Sequence, residues 1–473
     1  VMEDGVLIAP APYASPAAYY SPTAGRMESI EVRKGSTQIK HGPFTTGGSL
    51  NYISTSIPTS KLNSVSLDIG SFGKTLMQVR SGDSMGKFAY LIELYSDKMD
   101  GFKELDGGGD TGYTKTDFMT KLRYSFSESH AFEFKYSMTD ELSDETYLGL
   151  TDADYSDNPL RRYRATALDE MDADHSQVML SYAAKINDNM SLAIVGYSND
   201  FARNWYKLNK VNGMSLSSIT KPTADGWNEF YLLMDAENSA DDAYRIKANS
   251  REYYSSGVQA VFNVNAGNHD IQAGVRIHSD EMDRFQWEDR YGMQNGKLVM
   301  TTQATKGSDS NRIDSAEATA LFIEDRFTSG DMTVTAGARY EEITVMRDDW
   351  GKTDPDRSET PSQRKHTMDV VVPGIGIEYA INEFQTVSVG VHKGFAPPGP
   401  GTSGVTDKAV DPETSMNTEI GFKSNQGLNS LEFTLFTNSY DNLLGADTAA
   451  SGGGSDELFN GGAIDISGFE LYL

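Results

Sequence analysis

Three arginines fall within four positions, Arg161, Arg162 and Arg164, in a stretch that is otherwise acidic. A guanidinium is planar, always charged and offers paired N–H donors, so such a cluster suits an anion that presents carboxylates two oxygens at a time. The same arginines can equally neutralise their neighbours Asp152, Asp154, Asp157, Asp169 and Glu170, which is what bare charge clusters usually do. Arg203 is a further candidate of the same kind.

Other chemistry finds little support. None of the seven histidines sits in an H-E-x-x-H pattern, and neither a G-x-S-x-G nor a phosphate-cradling G-x-x-x-x-G-K-[ST] occurs. With no cysteine, thiol nucleophiles, disulfides and Cys-ligated metals are excluded together. Asp106 and Asp110 flank Gly107-Gly108-Gly109, but the glutamate that would complete a calcium loop is missing. That run and Gly452-Gly453-Gly454 read as flexible loop tips. A formal net charge of −27 repels phosphates, which argues against nucleic acid as a partner. The sequence therefore reads as a non-enzyme with no cofactor and no resident metal.

The elements that must position these residues read as strands. Phe132, Phe134, Tyr136 and Met138 alternate with Glu133, Lys135 and Ser137, and Met416, Thr418, Ile420 and Phe422 alternate with Asn417, Glu419 and Lys423. A soluble sandwich alternates too, so connection lengths must decide. Short turns at Asn187-Asp188-Asn189, Ala266-Gly267-Asn268 and Ser329-Gly330-Asp331 alternate with long connections, expected near 139–174, 199–252, 279–315 and 346–366. Short turns on one side and long loops on the other are the pattern of an outer-membrane barrel. No apolar run of about 18 residues marks a membrane helix. Tyr136 and Tyr340, ending outward faces, fit boundary girdles. About sixteen strands and the start of another, from Gly468, are expected, with the barrel continuing past Leu473. Residues 1–58 read instead as a small mixed α/β unit, and 59–473 as the barrel.

Several separated motifs carry a resemblance. Asp4-Gly5-Val6, Met27-Glu28-Ser29-Ile30-Glu31-Val32-Arg33-Lys34-Gly35, His41-Gly42-Pro43 and Gly47-Gly48-Ser49-Leu50-Asn51-Tyr52-Ile53 resemble the plug of TonB-dependent outer-membrane receptors. Lys393-Gly394-Phe395-Ala396-Pro397-Pro398, Pro412-Glu413-Thr414, Glu419-Ile420-Gly421-Phe422-Lys423, Asn460-Gly461-Gly462 and Gly468-Phe469-Glu470-Leu471 resemble its barrel. Ala11-Pro12-Tyr13, Leu160-Arg161-Arg162-Tyr163 and the stretch from Asn199 to Leu208 are similar to the ferric dicitrate type, with Ser15 and Ala17 where that type carries amides.

The resemblance implies a 22-stranded antiparallel transmembrane barrel, of which this chain holds part, with the C-terminal part of a plug inside it. It implies energised uptake of a ferric chelate, ferric citrate or a related carboxylate siderophore, with iron carried as cargo. The implied partners are that chelate, TonB of the inner-membrane energy complex and outer-membrane lipid, in a Gram-negative bacterium. It places Tyr13, Ser15, Tyr19 and Tyr20 in an apical plug loop, and with Arg161, Arg162, Arg164 and Arg203 they become candidate ligand residues. It also implies a plug–barrel latch between Arg33 and the lumen-facing Glu419 and Glu470. A passive porin or surface adhesin, and a soluble β-rich carbohydrate-active enzyme, are the competing readings.

Overall fold

The computed structural model describes the chain apart from residues 18, 34–39, 220–221, 224–225, 228–232, 401–410, 443, 447–457 and 461. The glycine run 452–454 and the Lys34-Gly35 turn lie outside the described residues. The N-terminal unit is a four-stranded sheet of β1 (Met2–Glu3), β2 (Val6–Leu7), β3 (Met27–Arg33) and β4 (Ser49–Ser54), in the order β2-β1-β4-β3. Its helical elements among the described residues are 3₁₀ turns, one at Ala24–Arg26 and one that includes Lys40 and His41. Pro10, Pro12, Pro16 and Pro22 interrupt the segment before any helix can nucleate.

From Leu62 onward one antiparallel sheet takes over. Its strands are β5 (Leu62–Ile69), β6 (Thr75–Met85), β7 (Phe88–Met99), β8 (Tyr113–Ser127), β9 (His130–Ser143), β10 (Glu170–Asn187), β11 (Met190–Val211) and β12 (Tyr244–Ala266). They continue as β13 (His269–Gln294), β14 (Ser310–Ser329), β15 (Met332–Asp349), β16 (Ser362–Asn382), β17 (Gln385–Ala396), β18 (Glu413–Gln426), β19 (Asn429–Asp441) and β20 (Ile464–Tyr472). Each pairs with the next, and the overall strand order is that of a ring. Residue-by-residue ladders run from β5 round to β20, and β5 is exposed along all 8 of its residues. The sheet is thus a curled wall whose two end strands, β5 and β20, are neighbours in the strand order.

The faces of this wall are inverted relative to a soluble protein. On β9, Phe132 and Met138 are exposed while Lys135, Ser137 and Thr139 are buried. Ile277 is 63% and Ile420 55% exposed, whereas His278, Asp280 and Asn417 are buried. Apolar side chains outside and polar ones inside suit a wall bathed in lipid, and a sheet bathed in water forbids them.

Several strands are far longer than a bilayer needs. β11, β12 and β13 contain 22, 23 and 26 residues, against about 10 for a tilted membrane strand. This corrects the expected loops: 199–211 and 279–294 are strand, and the connections shrink to 144–169, 212–243, 295–309 and 350–361. Beyond the lipid the overhangs pack against the loops, with Leu208, Val211 and Met293 buried in an apolar core, so the lipid-imposed alternation fades there. The β13 overhang ends in the hairpin turn Asn295-Gly296, with φ of 48° and 74°, the mirror-image turn this dipeptide favours.

The N-terminal unit lies against the polar face. Met2, Leu7, Ile8, Tyr13 and Tyr20 share a core with Phe201, Tyr253, Met282, Ile343, Val345 and Phe395 of the wall. Contact with one face of strands from β11 round to β17 means that this face curls around the unit.

Candidate ligand site

Strand register brings together four arginines distant in sequence. Arg203 on β11 stands opposite Arg251 on β12, Arg251 opposite Arg284 on β13, and Arg284 opposite Arg312 on β14. Directly opposite residues share a face, and it is the polar face, because Tyr253, Met282 and Asp314, two positions along, are buried there. Like charges set opposite one another repel; Arg312 is answered by Asp314 at 3.5 Å, while Arg203 and Arg251 stand side by side where an anion would relieve them. Arg203 is 2% exposed, and among the described residues neither its Nε nor its Nη2 has a hydrogen-bond partner. Its Nη1 donates to the Asn249 carbonyl at 3.2 Å.

Tyr19 lies beneath this row. Its ring centroid is 3.9 Å from the Arg203 guanidinium carbon and 5.4 Å from that of Arg251, within cation–π range. It is partly exposed, so its free edge lines the same space as the arginines. Tyr13 and Tyr20 are placed differently. Tyr13 is fully buried and donates to Glu341 Oε2 at 2.8 Å, while burial and the adjacent Glu341 hold its hydroxyl well above the ordinary range. Tyr20 stacks on His175 at 3.7 Å and meets Thr139 Oγ1 and Arg26 Nη2. Ser15 closes the apical turn through its backbone, its N–H donating to the Ala11 carbonyl at 2.9 Å.

Arg161, Arg162 and Arg164 serve as struts among the loops. Arg161 pairs with Asp106, Asp154 and Asp235, at 2.9, 2.7 and 3.3 Å, and Arg164 with Asp235 at 3.2 Å. Arg162 is buried and donates to the carbonyls of Asp144, Thr166 and Asp169 and to Thr166 Oγ1. Burial lowers its pKa against the pull of Asp169 and Asp144. Beside it Asp169 accepts from Leu208 N at 2.6 Å and Thr146 Oγ1 at 2.8 Å, and burial pushes its carboxyl up to about 7. Tyr163, Leu208, Val211, Ile219, Met234, Tyr244 and Met293 form an apolar core under these struts.

Arg33 pairs with Glu31 at 3.4 Å on its own strand. It also lines a cavity of about 450 Å³ with Glu419, and Glu419 lines a second, of about 730 Å³, with Glu470 and Val32. Among the described residues the best-buried ionic contact between unit and wall is elsewhere. Arg26 donates to Glu3 and to Asp117 of β8, and Lys135 of β9 donates to Glu3 at 2.6 Å and Asp4 at 2.7 Å. Sequence reading missed this group, and the facing arginines 251, 284 and 312, because strand register decides who faces whom.

Residues 95–473 match the family described as TonB dependent receptor-like, beta-barrel. Among solved structures, the unliganded ferric citrate transporter FecA is similar, with a TM-score of 0.75 and 18% identity, over 99% of this chain and 64% of its own length. The siderophore receptor PiuA from Acinetobacter baumannii is similar at TM-score 0.72 and 14% identity, over 94% of this chain and 66% of its own. The ferric-catecholate import receptor Fiu from Escherichia coli K12, in its closed form, follows at 0.70 and 15%, over 99% and 69%. The chain thus spans a little under two thirds of the length of the first two. At such identities the likeness speaks for the fold alone; the family match and the inverted faces of the wall say more, and the chain belongs to the TonB-dependent receptor β-barrel family.

Proposed function

We propose that the full-length protein is an outer-membrane receptor that takes up an anionic ferric chelate, with ferric citrate or a related carboxylate siderophore as its cargo class. The observation that carries this is the arginine row above Tyr19, in which buried Arg203 keeps unpartnered donors. Carboxylates answer those donors in pairs, which a neutral ligand does not. On this reading residues 1–58 belong to a plug, 59–473 to a barrel of 22 strands in the complete protein, and TonB supplies the energy. Tyr19 and Arg203 contact the chelate. Tyr13, Tyr20 and Ser15 shape the loop that presents Tyr19, and Arg161, Arg162 and Arg164 brace the loops around the entrance. Arg33, Glu419 and Glu470 form a latch that releases during transport, a role supported by the two cavities that meet at Glu419, one lined by Arg33 and the other by Glu470.

The test is titration of ferric citrate into the full-length receptor. Arg203→Gln with Arg251→Gln is expected to weaken binding at least about tenfold at low salt, with uptake of radioactive iron by cells falling in step. Equal affinity of the variant and wild type for every anionic chelate tried would reject the reading.

A further inference from the structure

One wall carboxylate holds the apical loop of the N-terminal unit. Asp280 of β13 accepts the Tyr13 N–H at Oδ2 and the Ala14 N–H at Oδ1, both at 2.8 Å. Its Oδ2 also meets His278 Nε2 at 3.1 Å, and His278 Nδ1 meets the Tyr197 hydroxyl at 2.7 Å. All five residues are buried.

The wall is ordered on the other side of Asp280 as well. Ser137, Gln177, Asn199 and Ser255 stand opposite one another across β9 to β12, and Ser255 stands opposite Asp280. Gln177 Nε2 donates to Asn199 Oδ1 at 2.9 Å, and Asn199 Nδ2 to Ser255 Oγ at 3.0 Å. Asp280 is therefore braced along its strand by His278 and flanked across the sheet by an ordered polar row.

Its place relative to the arginines gives this arrangement a use. Arg284 lies four residues further along the same face of β13, about 13 Å away, with Met282 of the shared core between them. The loop leaves Asp280 at Ala14 and reaches Tyr19 under Arg203. One strand thus carries both the anchor of the loop and part of the anion row.

We infer that Asp280 is a positioning residue for the ligand site: by fixing the Tyr13 and Ala14 amides it sets where Tyr19 stands beneath Arg203 and Arg251. This rests on the reading of the arginine row as the chelate site and adds to it the residue that places the unit's contribution. An amide cannot replace the carboxylate, because asparagine offers one acceptor oxygen and turns N–H donors toward a backbone N–H.

The first arm of the test needs no ligand. In the full-length receptor, Asp280→Asn is expected to raise amide exchange at Tyr13 and Ala14 by at least about tenfold, with exchange in β1 and β4 unchanged. His278→Leu, which keeps the carboxylate and removes its brace, is expected to give a smaller rise, about threefold, and serves alone if the first variant does not fold. The second arm titrates ferric citrate, whose affinity is expected to fall about tenfold in Asp280→Asn while Arg203 is untouched. Unchanged exchange at Tyr13 and Ala14 overturns the anchor, and raised exchange with unchanged affinity overturns the positioning role. Failure of the wild-type receptor to bind any anionic chelate rejects the functional reading, and the positioning role with it, whereas the first arm still decides the anchor.

Discussion

Arg26 donates to both carboxylate oxygens of Glu3, at 2.9 and 3.3 Å, with neither side chain reachable by water. Lys135 reaches the same carboxylate from the wall. Such a group is costly to break from one side, because the remaining charges stay buried. Arg26→Met is therefore expected to cost about 3–5 kcal/mol of the unit's docking, read as protease cleavage within 1–58 while the sheet stays intact. Burial drives the Glu3 pKa up, but Lys135 and Arg26 outweigh it and hold the carboxyl well below its ordinary range. A carboxylate depressed by folding stabilises the fold above its unfolded pKa and stops doing so only as pH falls through the depressed value. The unit is thus expected to resist proteolysis at pH 4, and cleavage setting in at pH 5 would contradict this.

Asp169 has the opposite sign. The folded state keeps its proton up to about 7, whereas the unfolded chain releases it near 3.8. Folded loops hold more protons between those values, so their stability declines as pH rises through about 7. Amide exchange at Leu208, whose N–H Asp169 accepts, is expected to quicken from pH 6 to pH 8 beyond the intrinsic base-catalysed trend. Asp169→Asn is expected to abolish that excess.

A methyl group at Gly42 would meet Arg276 Nη1 at 2.8 Å and Arg339 Nη2 at 3.2 Å, and φ there is +109°. Those arginines donate to the His41 and Lys40 carbonyls, so the glycine lets the wall close on the unit's backbone. Gly42→Ala is expected to loosen this contact by about 1–3 kcal/mol. Liposome swelling with small sugars should then show a leak absent from wild type, and a tight variant would show that the contact yields without loosening the unit.

Arg161 and Asp235 should couple measurably. A double-mutant cycle with Arg161→Gln and Asp235→Asn is expected to give about 0.5–1 kcal/mol, the range for partly exposed pairs. Protease cleavage in 144–169 is a suitable readout. A coupling of zero would show that Asp235 does not bridge the loops.

Sequence made the wall legible where lipid imposes alternation, as at Phe132–Met138, and the short turns at 188–189 and 267–268 emerged where expected. It was silent on the overhangs of β11 and β13, since there Leu208, Val211 and Met293 pack against loops rather than answering to lipid on one face. Arg161 and Arg164 were visible as a cluster, but their shared partner Asp235 lies 74 and 71 positions away. The row of Arg203, Arg251, Arg284 and Arg312 could not be read either. One residue of slip in any strand would turn an arginine to the other face, and the intervening connections do not announce their register.

That row has a consequence for selectivity. The distance between neighbouring strands is set by backbone hydrogen bonds at about 4.8 Å, so the arginine anchor points form a graduated scale that side-chain motion blurs but cannot rescale. On the reading of the row as the chelate site, Arg203, Arg251 and Arg284 span about 10 Å, and an anion would fit by the separation of its charges rather than by their number alone. A dianion with carboxylates one or two graduations apart can engage two arginines at once, while an equally charged ligand with its charges crowded at one point engages them poorly. Affinity across a series of dicarboxylate chelates should therefore rise and fall with charge separation, a length selection written into the sheet itself.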